Sequence, residues 1–174
     1  MTKKPVHTKS IVDTKSIVDT KSIVHTTAFK ATLSVLITTL ITLQYSGLVE
    51  VEGSSMEPTY YEGNRLTYVR TAKFKGYNHG DVVVIDLDGK NTILKRIIGI
   101  PGDNVRLVNG KVYVNEEEVS YPSEGQTFEG DNGKEFTLDE KDYFVLGDNR
   151  ELSLDSRYSN IGLINLEQII GKVR

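Results

Sequence analysis

Thr92-Ile-Leu-Lys-Arg-Ile-Ile98 is rich in β-branched residues, ends at Gly99, and predicts a strand. Upstream, Asp81-Val-Val-Val-Ile85 follows the Asn78-His79-Gly80 turn and predicts a second, buried strand. Downstream, Val105–Val108 and Lys111–Val114 flank Asn109-Gly110, the signature of a tight hairpin. Tyr143–Leu146 is a further apolar strand, closed by Gly147. The stretch from Tyr121 to Lys134 is rich in Gly, Ser, Glu and Asn and reads as a surface loop. No long amphipathic helix is expected after residue 50, so the body is mainly β.

The chain has 174 residues and a net charge of -3, unevenly spread. Residues 1–30 carry six lysines against Asp13 and Asp19, whereas 50–174 carry the other 15 basic and 22 acidic residues. An acidic body argues against a nucleic-acid partner. The chain has no cysteine, which excludes disulfides, thiolate metal sites and a cysteine nucleophile. Three scattered histidines, His7, His25 and His79, suggest no metal centre, and no cofactor is implied.

Residues 1–27 contain the unit TKSIVD, repeated from Thr8 with a period that fits no known solenoid, and read as a disordered cytoplasmic tail. Ala31 to Val49 is 19 residues without a charge. With its flank, the segment 28–49 predicts one transmembrane anchor, its threonines and serines bonding back to the helix. Lysines before it and acid after it place the N-terminus in the cytoplasm and the body, 50–174, outside. A cleavable secretory leader fits less well, because no small-x-small site follows.

Three segments of the body could carry chemistry. Glu52-Gly-Ser-Ser-Met-Glu-Pro-Thr59 can expose a serine on a tight turn, although Gly-Ser-Ser is also an ordinary loop. A serine nucleophile needs a base, and His79 reads as a solvated turn residue. Lys95 lies among Ile and Leu. If buried, its amine would lose its charge readily, since moving its pKa from about 10.4 to about 8 takes roughly 3 kcal/mol. Equally, Lys95 could face solvent with Arg96 inward, or both could snorkel. Gly147-Asp-Asn-Arg-Glu-Leu-Ser-Leu-Asp-Ser-Arg157 is a polar cluster in which Asp155 and Arg157 can form a bidentate clamp.

Taken together and in this order, the three segments resemble the boxes of the bacterial type I signal peptidases. Ser54-Ser-Met-Glu-Pro-Thr59 is similar to their Ser-Met-x-Pro-Thr motif. Lys95-Arg-Ile-Ile-Gly-Ile-Pro-Gly102 is similar to their Lys-Arg-x-x-Gly-x-Pro-Gly motif, and 147–157 to their last box. The resemblance covers roughly 28–174. It implies a signal-peptidase β-fold of antiparallel sheets, akin to that of self-cleaving SOS repressors, with a small insertion at about 103–141. It implies Ser55 as nucleophile, Lys95 as general base, and Ser153 as the hydroxyl that orients the lysine. It implies Asp155 and Arg157 as a supporting ion pair, Met56 packed behind the serine, and Val51 and Leu94 lining pockets for small substrate residues. The implied partners are signal peptides of exported preproteins, cleaved at Ala-x-Ala sites, and membrane lipid.

The sequence departs from the family pattern in places. Gly53 replaces a serine that some members use as an oxyanion donor. Tyr60 stands where Leu or Phe is usual, and Gly162 falls late after the last box. The chain stops at Gly171–Arg174, where relatives commonly continue with an aromatic segment. The short 103–141 segment and single anchor look like Gram-positive members. Two other readings are a non-catalytic assembly factor, for example in pilus assembly, and a self-cleaving repressor. The first typically lacks the serine or lysine, and the second predicts a helix-turn-helix in place of residues 1–49.

Overall fold

The computed structural model describes residues 14–70, 76–123 and 125–174, and the chain divides into two units, Met1–Leu43 and Gln44–Arg174. The first is built on helix α1 (Thr14–Tyr45). The helix begins inside the repeat, where a disordered tail was expected. No glycine or proline falls between residues 6 and 46, so nothing in the segment breaks a helix. On a helix a six-residue repeat turns each copy by about 240° and spreads every residue type around the axis. Repetition here gives no apolar stripe. Residues 1–13 of the expected tail lie outside the described residues.

The hydroxyls of the apolar half bond back as expected: Thr32 to the Phe29 carbonyl at 2.9 Å, Thr38 to Ser34 at 2.8 Å, and Thr39 to Val35 at 2.8 Å. The expected anchor over 28–49 needs correction. Helix ends at Tyr45, and Ser46–Glu50 is strand β1. The uncharged helical part is then Ala31 to Tyr45, fifteen residues. At about 1.5 Å each these span about 22 Å, short of the ~30 Å hydrocarbon core. Among the described residues, no helix is long and apolar enough to cross a membrane.

The second unit is built of two antiparallel sheets, as the sequence predicts. The larger contains β1, β2 (Arg65–Val69), β3 (Val82–Asp86), β4 (Thr92–Gly99), β9 (Asp142–Leu146), β10 (Ile164–Asn165) and β11 (Ile169–Val173). Its order is β1-β2-β11-β3-β4-β9-β10. The smaller contains β5 (Asn104–Val108), β6 (Lys111–Val114), β7 (Glu117–Glu118) and β8 (Glu135–Thr137), in the order β7-β6-β5-β8. It falls inside the 103–141 segment. The β5–β6 hairpin turns on Asn109 at φ 51° and Gly110 at φ 78°, the two left-handed residues that such a turn demands.

Strand alternation builds the core on both faces of the central strands. Val83, Ile85, Ile97 and Val145 join one apolar cluster, while Val82, Val84 and Leu94 join another with Val51 and Met56. Phe144 and Leu146 face the smaller sheet and pack on Val105, Leu107 and Phe136. Each fully buried side chain of this kind contributes about 1.5–3 kcal/mol. The last strand, β11, lies in the middle of the large sheet, between β2 and β3. The four closing residues Gly171–Arg174 therefore help to fill the sheet that carries the site.

Candidate active site

Ser55 follows β1 on a turn, half-buried, with Met56 behind it at 1% exposure in the cluster that holds Val51 and Leu94. Lys95 is the fourth residue of β4, paired with Val83 of β3. It enters the interior and is 3% exposed. Its Nζ donates to Ser55 Oγ at 2.8 Å. Burial pushes the amine down from 10.5 to about 8; Asp155 and Asp148 pull it up and Arg157 pushes it down, all by lesser amounts. The open alternative is resolved by both cations being buried, since successive residues of a strand leave opposite faces.

Arg96 is satisfied differently. Its Nε donates to Asp148 Oδ1 at 2.7 Å and its Nη2 to Oδ2 at 2.6 Å, a bidentate pair out of solvent. Its Nη1 donates to the Gly80 carbonyl at 2.7 Å, and Thr59 Oγ1 donates to the same Asp148 carboxylate. One guanidinium thus joins the serine segment, the lysine strand and the loop after β9. A second tie is main chain to main chain, Asn149 N–H to the Ser55 carbonyl at 3.0 Å.

The loop after β9 is held from inside. Arg157 Nε and Nη2 donate to the two oxygens of Asp155 at 2.7 and 2.9 Å, with both side chains almost wholly buried. Arg157 also donates to the carbonyls of Arg150, Ser153 and Phe128, and Asp155 Oδ2 accepts from Gly147 N–H at 3.0 Å. Gly147 admits no side chain: a Cβ there would meet Ser153 Oγ at 2.2 Å and the Ser55 carbonyl oxygen at 2.5 Å. Ser153 is 3% exposed, yet among the described residues its hydroxyl has no hydrogen-bond partner, so the expected orienting bond to Lys95 is not made here.

Ser55 and Lys95 line a cleft of about 260 Å³, together with Val51, Glu52, Ile93 and Leu94. The two residues expected at substrate pockets thus share one cavity with the serine and lysine. Among the described residues, no group of His, Asp and Glu is arranged to hold a metal ion. A hydroxyl bonded to a neutralisable amine in a cleft is equipped for nucleophilic attack on a carbonyl.

A family model described as signal peptidase, peptidase S26, matches residues 23–174. The chain belongs to the S26 signal peptidase family. It is 40% identical over 133 residues to the signal peptidase I of Bacillus licheniformis, covering 70% of each chain. It is 36% identical over 141 residues to signal peptidase IB of Staphylococcus aureus, covering 71% of this chain and 73% of that one. A crystal structure of a signal peptidase I from Enterococcus faecalis aligns with a TM-score of 0.47 at 25% identity, covering 56% of this chain and 97% of the other. Membership in S26 makes the chain a serine peptidase, of the Gram-positive-like type I group that its sequence resembles.

For this S26 member, sequence reasoning missed the Arg96–Asp148–Thr59 tie. Its only signal was a second charged residue inside an apolar strand, beside the lysine already singled out. His79 is also more than a solvated turn residue: its Nε2 lies 2.6 Å from Asp103 Oδ2. That carboxylate also accepts from Ile100 N–H at 2.8 Å and Asn115 Nδ2 at 2.7 Å.

Proposed function

We propose that the chain is a membrane-bound serine endopeptidase that removes N-terminal signal peptides from exported preproteins, with Ser55 as nucleophile and Lys95 as general base. The observation that carries this reading is the contact of a buried amine, with its pKa lowered to about 8, and a hydroxyl 2.8 Å away in a cleft. Neutral Lys95 takes the Ser55 proton as Oγ bonds to the scissile carbonyl carbon. The oxyanion needs a preorganised donor, and the Ser55 backbone N–H is the candidate, because Gly53 offers no hydroxyl. The resulting ammonium gives its proton to the leaving amine as the C–N bond breaks. Lys95 then deprotonates a water, which attacks the acyl ester, and the proton returns to Ser55 Oγ. Val51 and Leu94 would admit small side chains and exclude large ones, which selects Ala-x-Ala sites.

Residence at the membrane is supported by the helix. Its apolar side chains, among them Phe29, Val35, Leu36 and Leu40, are exposed by more than half, with Lys30 before the uncharged run. A blot of fractionated cells should find the chain with the membranes.

The deciding experiment incubates a preprotein with the full chain and with Ser55→Ala and Lys95→Ala. Each variant should lose cleavage, with the native product ending in a small residue by mass spectrometry. Cleavage that persists in either variant removes the dyad from the reaction.

A further inference from the structure

The acidic rim of the cleft carries an inference that rests on the peptidase reading and deepens it. Glu50, Val51 and Glu52 form one wall, and their exposure alternates: Val51 is 4% exposed and both neighbours are exposed. The Val51 backbone is committed to the side away from the cleft. Its N–H donates to the Asn64 carbonyl at 2.9 Å, and its carbonyl accepts from Gly63 N–H at 2.9 Å. In an extended segment the neighbouring N–H and C=O groups point the opposite way, so those of Glu50 and Glu52 face the cleft. A substrate laid along this wall alternates as well. Its small residues meet the apolar side formed by Val51 and Leu94, and the residue between them falls on the side of the glutamates.

The charges on that side do not cancel. Glu50 is joined to Arg65 at 3.1 Å. Glu52 is exposed and, among the described residues, forms no ion pair. Lys95 is the cleft's cation, and it is uncharged when it serves as base. What remains at the rim is the field of one carboxylate, set in a unit where residues 50–174 carry 22 acidic against 15 basic residues. We propose that Glu52 reads the charge of the substrate residue between the two small ones. It favours signal peptides with Lys or Arg at that position over those with Asp or Glu, while the pockets set by Val51 and Leu94 read size.

The test uses three peptides that differ only at this middle position, carrying Lys, Gln or Glu, with the full chain in detergent. The readout is the ratio of kcat/KM for the Lys peptide to that for the Glu peptide, taken within each variant so that overall rates need not match. The unsubstituted chain should show a ratio of about five at low salt, since an exposed unit charge is worth about two- to threefold. The ratio should fall toward one near 1 M salt. Glu52→Gln should bring it close to one, and Glu52→Lys should invert it. A ratio that is the same in all three chains overturns the proposal. If neither variant cleaves, a ratio in the unsubstituted chain that ignores salt overturns it equally. Failure of the underlying peptidase reading looks different: none of the peptides is cut, or Ser55→Ala cuts them as well.

Discussion

Lys95 and Arg96 are adjacent cations on one strand, both withdrawn from solvent, and the fold treats them in opposite ways. Arg96 receives a whole carboxylate, two parallel hydrogen bonds from its fork to Asp148, and a backbone carbonyl besides. Lys95 receives a hydroxyl. The carboxylates that raise its pKa, Asp155 and Asp148, are engaged by Arg157 and Arg96. A paired cation holds its charge and ties segments together. An unpaired one in the same interior is ready to give its proton up. The difference lies in which side of one strand the carboxylate stands on.

The contrast is broken most severely by replacing the neutralisable cation with a permanent one. Lys95→Arg should fold but lose about 10²- to 10⁴-fold in preprotein cleavage, the usual worth of a general base. Single-turnover cleavage with excess enzyme checks this. Next comes the pair on the other face. Asp148→Ala strands Arg96 without its partner and should lower the free energy of unfolding by about 3–5 kcal/mol, read from urea titration. Replacing both partners, Arg96→Met with Asp148→Leu, should recover most of that loss.

A smaller effect of opposite sign is expected at the lysine. Its pKa is below the ordinary value in the folded chain, so the unfolded chain binds the proton more tightly. The resulting penalty is full below about pH 8 and fades as pH rises toward 10.5. Lys95→Met should therefore raise stability by about 1–3 kcal/mol at pH 7, with the gain shrinking steadily above pH 8. No gain at pH 7 would mean that the amine is compensated after all, and the contrast with Arg96 would fail. The mildest test is kinetic: kcat/KM should rise about tenfold between pH 7 and pH 9 as the amine becomes neutral.

Local signals in the sequence were legible wherever one short segment determined its own geometry. Asn109-Gly110 specified a hairpin because both residues take left-handed angles, and β3, β4 and β9 were plain as apolar runs. The serine, the lysine and the Asp155–Arg157 clamp were legible because each sits in a long, distinctive motif. What stayed hidden depends on distance along the chain. β11 completes a sheet whose other members come from residues 46–165, and five residues cannot announce their neighbours. The Arg96–Asp148 pair spans 52 residues. The end of α1 at Tyr45 is decided by Ser46–Glu50 pairing with β2, which claims residues that hydropathy alone assigns to a continuous helix.

The tether between the turn that carries Ser55 and the loop after β9 runs from the amide of residue 149 to the carbonyl of residue 55. Side-chain chemistry plays no part in that link. Any replacement at 149 that retains a backbone N–H preserves it, and proline alone removes it. Drift at this position can alter the Asn149 contact with Leu152 and still leave the Ser55 carbonyl tethered, so any side chain that fits the buried space at 149 keeps the link.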